Sequence, residues 1–376
     1  MLPTISNDNT YPELDLPIRT LLGPGPSMVH PRVLNALGYP LVGHLDPKFI
    51  ELMTNVQNLL RYVFQTQNQL TIPISGTGSA GMEASLCNFI EPGVKILVCV
   101  NGYFCERICE IAFRYGAEIT RLEHPWGEVF TPDDIKNALD KKHADIVARV
   151  HAETSTGTLQ PMEGLADIIH AQDGLLLIDC VTSLGGLPVN IDEWDVDIAY
   201  SGTQKCLSVP PGLSPITISP RALMTLKNRK SKVANWYLDL TMVGKYWGQE
   251  RTYHHTAPIS MNYALYEGLR MVYEEGLEIR WRRHRENAEL LWDGLISLGL
   301  TPVIPIEYRL PSLTTVHIPE GVDDASVRSA LLNNFNIEIA GGLGDFKGKV
   351  WRIGLMGHSS RRENVTLLLG ALKEIL

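Results

Sequence analysis

From Leu70 onward the chain alternates between short β-rich runs and stretches of helical length, and this restricts its fold more than any other feature. The runs are LTIPI (70–74), KILVCV (95–100), EITRL (118–122), DIVARV (145–150), LLLID (175–179), DIAY (197–200) and PITIS (215–219). Between most of them lie segments with helical spacing: Ser79–Ile90, Tyr103–Tyr115, Pro132–Leu139 and Met162–Ala171. Several runs are apolar throughout, as strands buried on both faces must be. The expectation is an α/β fold whose mostly parallel, seven-stranded sheet is covered by helices. Ligands of such sheets sit beyond the carboxyl ends of the strands. Asp179, Lys205 and the turn Gly76–Gly81 all fall at or just after strand ends.

The flanking regions divide the chain further. Residues 1–20 are polar and proline-bearing and read as an arm that must lie on something to be ordered. LLGPGPSMVHP follows as a rigid turn with exposed backbone N–H groups, and helical patterning resumes from Asp46 to Phe64. After Ser260 a long helical pattern runs to Gly276, the expected break before a second unit. That unit carries β-like VIPIEY, SLTTVHIP, NIEIA and KVWRIGL, with helices at Asp324–Asn334 and Ser360–Leu376. The resulting division is arm 1–20, large domain 21–276 and small α+β domain 277–376. The basic run Arg280-Trp-Arg-Arg-His-Arg285 is surrounded by glutamates and reads as a solvated helix face.

Composition narrows the function classes. A net charge of −9 argues against nucleic acid as a routine partner, though not against a small anion at a local positive site. The six cysteines show no zinc-type spacing, so no metal is expected, and buried free thiols in a reducing compartment are. The N-terminus does not read as a secretory signal, and no apolar run reaches the ~20 residues of a membrane span. The expected location is the cytoplasm.

The chemistry begins at Lys205. It follows DIAY and the small residues SGT, and no other lysine or arginine occurs until Arg221. A lysine at a strand end in weakly polar surroundings loses hydration as a cation, its pKa falls, and the free amine becomes a nucleophile for a carbonyl. Gly76-Thr-Gly-Ser-Ala-Gly81 follows a strand and opens a helix, matching the G-x-G-x-x-G of dinucleotide folds. That fingerprint also needs an acid at the end of the second strand, and KILVCV ends in Asn101-Gly102. What remains is a helix N-terminus whose Gly78 and Ser79 amides suit a phosphate, or else a helix capped by Thr77 or Ser79. Asp179 ends LLLID, a run with no other charge, where a carboxylate needs a cationic partner. A pyridinium nitrogen supplies one. Phosphate cradle, carboxylate and nucleophilic lysine together describe pyridoxal phosphate.

Stretches from GPGPS through SGTGS, IEPG, HAETSTGTLQP, IDCVTSLGG, YSGTQK and PPG to YHHT, GGLG and RIGLMG carry a resemblance that covers nearly everything after residue 20. The chain resembles the fold-type I, class V aminotransferases of the alanine–glyoxylate/serine–glyoxylate (serine–pyruvate) group. The resemblance implies that Lys205 forms the Schiff base with pyridoxal 5'-phosphate and Asp179 binds the pyridine nitrogen. Phe104 would be the aromatic plate, where many members carry tryptophan. Thr77, Gly78, Ser79 and Gln204 would hold the phosphate, and Thr154 the phenolic edge. Tyr253 and Thr256 would reach the phosphate of the neighbouring subunit in a homodimer with shared sites. Arg352 would grip the substrate carboxylate, opposite the N–H groups around Gly25; a domain-interface ion pair is its other reading. His151, His254 and His255 read as structural.

The implied reaction is transamination between a small amino acid, alanine or serine, and glyoxylate, giving glycine and pyruvate or hydroxypyruvate. Rivals on the same cofactor are a 2-aminoethylphosphonate-type aminotransferase and a desulfurase or other lyase. The cysteines sit in regular segments or beside Asp179 and Lys205, which disfavours a desulfurase with its cysteine on a mobile loop. A non-catalytic scaffold would have no need of Lys205, Asp179 and Arg352 together.

Overall fold

The computed structural model describes residues 11–376, so the first half of the expected arm, residues 1–10, lies outside the described residues. All seven runs become strands of one sheet: β1 (Leu70–Ser75), β2 (Lys95–Val100), β3 (Glu118–Glu123), β4 (Ile146–Val150), β5 (Leu175–Asp179), β6 (Ile198–Tyr200) and β7 (Leu213–Ile218). Their order across the sheet is β1-β7-β6-β5-β4-β2-β3. β7 is antiparallel to both neighbours, β1 and β6, and the remaining pairs are parallel. The connection from β6 to β7 contains no helix that could carry the chain back for a parallel return, so β7 reverses direction.

Central strands β4 and β5 are buried at every residue. Edge strand β3 instead exposes Glu118, Arg121 and Glu123, charges that discourage further strand pairing. The covering helices begin where local chemistry dictates. Helix Pro47–Phe64 starts with proline in its first turn and the Asp46 carboxylate accepting the Lys48 N–H at 2.8 Å. Helix Pro132–Lys141 has a complete capping box between Thr131 and Asp134. Helix Leu240–Trp247, starting at Asp239, occupies part of WYLDLTMVGKYWGQERTY, a stretch that reads as irregular in sequence.

A second hydrophobic core lies around an antiparallel sheet of β8 (Leu313–His317), β9 (Ala340–Gly341) and β10 (Val350–Gly354). Helices Leu277–Ser297, Asp324–Phe335 and Arg362–Ile375 contribute Leu291, Leu295, Leu331 and Leu368 to it. The earliest described part of the fold also belongs there. Thr20–Leu21 pairs in parallel with Ile337–Glu338, and Leu22 is fully buried in this core. Gly276, at φ 82°, separates helices Ile259–Glu275 and Leu277–Ser297, a conformation that L side chains rarely adopt.

Two readings of this region need correction. VIPIEY forms no strand: Pro305 interrupts it, and Ile306–Tyr308 is a single 3-10 turn. The basic run is only partly a solvated face. Arg280 is 6% exposed, pairs with Glu275, and donates to the carbonyls of Gly185 (2.7 Å) and Cys206 (2.6 Å). Arg283 pairs with Glu275 and donates to the Gly357 and Ser360 carbonyls, while His284 is fully buried. Orphaned carbonyls on distant segments recruit these arginines inward. Among the described residues, no helix is long and apolar enough to cross a membrane.

Candidate active site

The carboxyl ends of β4, β5 and β6 open into a cavity of about 210 Å³. Thr77, Gly78, Ser79, Phe104, Thr154, Asp179, Gln204 and Lys205 all line it, together with Arg107. Eight of the twelve residues singled out in the sequence therefore share one wall-to-wall space. Gly25 and Arg352 stand beside it, as described below. Tyr253 and Thr256 do not line it: both are exposed on the same chain.

Asp179 is the last residue of β5 and 3% exposed. Its Oδ1 accepts the Val181 N–H at 2.8 Å, and its Oδ2 accepts the Tyr200 hydroxyl at 2.7 Å. Burial pushes its pKa up to about 6, against the opposing pull of those two donors and of the Lys205 and Arg107 charges. A cationic partner in the cavity would hold this carboxylate ionised.

Lys205 lines the same cavity and is half-buried, its Nζ donating to the Pro24 carbonyl. Burial lowers its pKa to about 8, with the nearby Arg352 charge acting in the same direction. Near neutrality a useful share of the side chain is therefore the free amine. The segment before it fixes its place: the Ser27 hydroxyl donates to the Lys205 carbonyl at 2.7 Å, and the Ser27 N–H to the Gln204 carbonyl at 2.8 Å. Gly25 has φ +107°, and a Cβ on it would lie 2.7 Å from Lys205 Nζ. Only glycine lets the backbone pass so close to the amine.

Helix Gly78–Cys87 begins at Thr77, whose side chain makes no capping bond, so the first amides of the helix are left for another acceptor. Gln204 Oε1 is likewise buried, with no partner among the described residues. Arg107 Nη1 donates to Ser79 Oγ at 3.1 Å, and its guanidinium lies 5.0 Å from the Phe104 ring centre. Arg352, on β10, is 6% exposed. Its Nε donates to the Gly341 carbonyl at 2.8 Å and its Nη1 to the Thr154 carbonyl at 3.2 Å. Both partners are carbonyls, not carboxylates, so the charge is not neutralised by them.

The three histidines singled out in the sequence each meet a neighbouring side chain. His151 Nδ1 lies 2.9 Å from Ser183 Oγ, and burial drives its pKa down to about 3. His255 Nε2 lies 2.7 Å from Ser75 Oγ, and His254 stacks on Trp236. All six cysteines are free and buried. A second cavity, of about 270 Å³, lies beside Arg280 and Arg283, whose donors are committed to Glu275 and backbone carbonyls.

Three residues of the site escaped the sequence reading. Tyr200 is the register partner of Asp179 across β5 and β6, a hydroxyl in an otherwise apolar run. Arg107 follows Phe104 by one helical turn. Glu153 is the one acid in HAETSTG and is fully buried beside the cavity.

The chain matches the Aminotransferase class-V family over residues 24–358. It is 42% identical over 382 aligned positions to the (S)-ureidoglycine–glyoxylate transaminase of Bacillus subtilis (strain 168), covering 97% of this chain and 92% of that protein. It is 42% identical to the alanine–glyoxylate aminotransferase of Callithrix jacchus, covering 96% and 89%. The crystal structure of an alanine–glyoxylate aminotransferase from Nostoc sp. superposes with a TM-score of 0.97 at 53% identity, covering 98% of this chain and 97% of that one.

Open helix amides, a Gln204 oxygen with no partner among the described residues, a buried carboxylate and a half-buried amine around one cavity fit a phosphorylated pyridine aldehyde. The chain belongs to the class V aminotransferases, fold-type I enzymes that use pyridoxal 5'-phosphate to move amino groups between amino acids and 2-oxo acids.

Proposed function

We propose that the protein transfers the amino group of alanine or serine to glyoxylate, giving glycine and pyruvate or hydroxypyruvate. The observation that carries this reading is Arg352, a buried cation held by two carbonyls with no carboxylate partner among the described residues. One such clamp suits the single carboxylate of a small monocarboxylate. Burial lowers the Arg352 pKa only to about 10, so it stays charged at neutral pH. The glyoxylate-utilising relatives add their support.

In this reading Thr77, Gly78, Ser79 and Gln204 hold the cofactor's phosphate, Asp179 its ring nitrogen, Phe104 its face and Thr154 its phenolic edge. Pyridoxal phosphate, when bound, supplies the electron sink for the substrate α-carbon and stores the amino group between half-reactions. The protein supplies the rest. Arg352 and the N–H groups around Gly25 orient the substrate carboxylate. Lys205 Nζ, partly neutral because burial lowers its pKa, takes the α-proton and later returns a proton. Asp179 stays ionised against a ring cation, held by Val181 and Tyr200.

The proposal extends to assembly and location. The protein works as a homodimer whose Tyr253 and Thr256 reach the partner's phosphate site; their exposure leaves them available for that contact. The chain divides into arm 1–20, large domain 21–276 and small domain 277–376, with Thr20–Leu22 packed against the small domain's core. Free, buried thiols favour the cytoplasm.

Steady-state assays test the substrate reading, with alanine, serine, (S)-ureidoglycine and 2-aminoethylphosphonate as donors, and glyoxylate, pyruvate and 2-oxoglutarate as acceptors. Alanine or serine with glyoxylate should give the highest kcat/KM. Preference for 2-oxoglutarate, or for either of the other donors, would overturn it. Mixing Lys205→Ala with Tyr253→Phe/Thr256→Ala should restore activity if sites are shared between subunits, and restore nothing if they are not.

A further inference from the structure

Helix Tyr103–Arg114 starts at Gly102, which has no side chain with which to cap it. Its first amides are satisfied from a distant segment. The Tyr103 N–H donates to Ser155 Oγ at 2.9 Å, and the Phe104 N–H donates to Glu153 Oε2 at 3.1 Å. The other carboxylate oxygen, Oε1, accepts both the N–H (2.9 Å) and the hydroxyl (2.6 Å) of Ser155. Three N–H and O–H donors, with the Cys105 thiol farther off at 3.9 Å, converge on two oxygens at the positive end of a helix; they favour an ionised acceptor, against burial, which pushes the Glu153 pKa up.

Gly102 makes room for this carboxylate. Its φ of −179° is open to any residue, yet a Cβ there would lie 2.5 Å from Glu153 Cγ. The glycine is required by Glu153, not by its own backbone. Thr154 lies between Glu153 and Ser155, and its carbonyl is one of the two anchors of Arg352. One buried side chain thus ties the backbone of Phe104 to the segment whose Thr154 carbonyl supports the arginine.

We propose that Glu153 is a positioning residue, whose carboxylate sets the aromatic wall of the cavity and the Thr154 support of Arg352 in a single geometry. The inference rests on reading the cavity as the pyridoxal phosphate site. Glu153 does not line the cavity; it acts through Phe104 and Thr154.

Glu153→Gln tests it. A side-chain amide cannot accept on both ends, so its NH2 must face either the Phe104 N–H or the Ser155 pair. The readouts are cofactor Kd by absorbance titration of the full-length apoprotein, visible circular dichroism of the bound cofactor, and Tm of the apoprotein. The expected result is a Kd raised on the order of 10-fold and a visible dichroism band that loses most of its intensity. A variant that lowers Tm but keeps wild-type Kd and dichroism has lost a helix cap only, and that overturns the proposal. Gly102→Ala displaces the carboxylate without touching the cofactor and should shift Kd and dichroism in the same direction. If Glu153→Gln does not fold, wild-type Kd and dichroism in Gly102→Ala overturn the proposal instead. Borohydride labelling of the wild type separates the two levels. Label on a lysine other than Lys205 overturns the site reading, whereas label on Lys205 with unaltered variants overturns only the role of Glu153.

Discussion

Gly25→Ala should disarm Lys205 while leaving the fold nearly intact. Two costs can be worked out. At φ +107° an alanine is strained by roughly 1–2 kcal/mol, which for a chain of this size lowers Tm by a few degrees at most. The second cost falls on function. The new Cβ would lie 2.7 Å from both Nζ and Cδ of Lys205, where ordinary contact begins at 3.4 Å, so the amine must retreat by about 0.7 Å. It then leaves its Pro24 acceptor and the line of attack on an aldehyde. Misplacement of this size lowers the rate of a positioned reaction by roughly 10- to 100-fold. The assay follows capture of pyridoxal phosphate by the apoprotein, quenched with borohydride and quantified at Lys205 by mass spectrometry. Gly23→Ala is the control: a Cβ there meets only the Glu338 carbonyl, at 4.0 Å. Equal capture rates for Gly25→Ala and wild type would refute the argument that this backbone sets the amine's position.

Because burial lowers the Lys205 pKa to about 8, capture by the apoprotein should rise with pH and level off above about 8; a rise continuing toward 10.5 would show a solvated lysine. Linkage gives the stability counterpart: the folded pKa lies below the unfolded one, so protonation disfavours folding fully below pH 8 and progressively less up to about 10.5. Lys205→Met should therefore stabilise the apoprotein most below pH 8, as read from urea melts. Asp179→Asn should fold normally but lose on the order of 10²-fold in kcat, since an amide cannot stabilise a ring cation; near-wild-type turnover would contradict the role of Asp179. Arg280→Met leaves the Gly185 and Cys206 carbonyls without their donor and should cost on the order of 3 kcal/mol in denaturant melts. A loss of only about 0.5 kcal/mol, the size of a surface substitution, would contradict it.

The central strands were legible because strands covered on both faces must be apolar nearly throughout, whereas edge strand β3, with Glu118, Arg121 and Glu123 exposed, stood out only by its place in the alternation. The reversal of β7 was harder to see, since it depends on what the intervening segment does in space. Asp179 and Lys205 stood out as isolated charges at strand ends. Tyr200 did not, because its partner is set by the register between β5 and β6, and register is not written in either run alone. Glu153 was hidden for a related reason: its donors come from residues 103–104 and 155, and the only trace in the sequence is the glycine at 102 that makes room for it. The arginines of the 280–285 run misled because a charge count shows nearby glutamates but not the backbone carbonyls of Gly185, Cys206 and Gly357.

The stitching of residues 20–28 into the C-terminal part of the fold has a consequence for how the molecule comes into being. Thr20–Leu21 pairs with Ile337–Glu338, the Gly354 N–H donates to the Leu22 carbonyl at 2.7 Å, and the Met28 N–H donates to Ser359 Oγ at 2.9 Å. The seven-stranded sheet can pair before these contacts exist, since its strands end at Ile218. The strap that carries Pro24 and Gly25 past the reactive amine is held at one end by Ser27 on Gln204 and Lys205, whereas its fastening to residues 337–359 must wait until those residues have been made. Closing so long a loop costs only about 0.6 kcal/mol more per doubling of its length, so the delay is one of sequence, not of thermodynamics. Full positioning of the amine therefore depends on the small antiparallel sheet and the segment around Ser359 being in place, and not on the seven-stranded sheet alone.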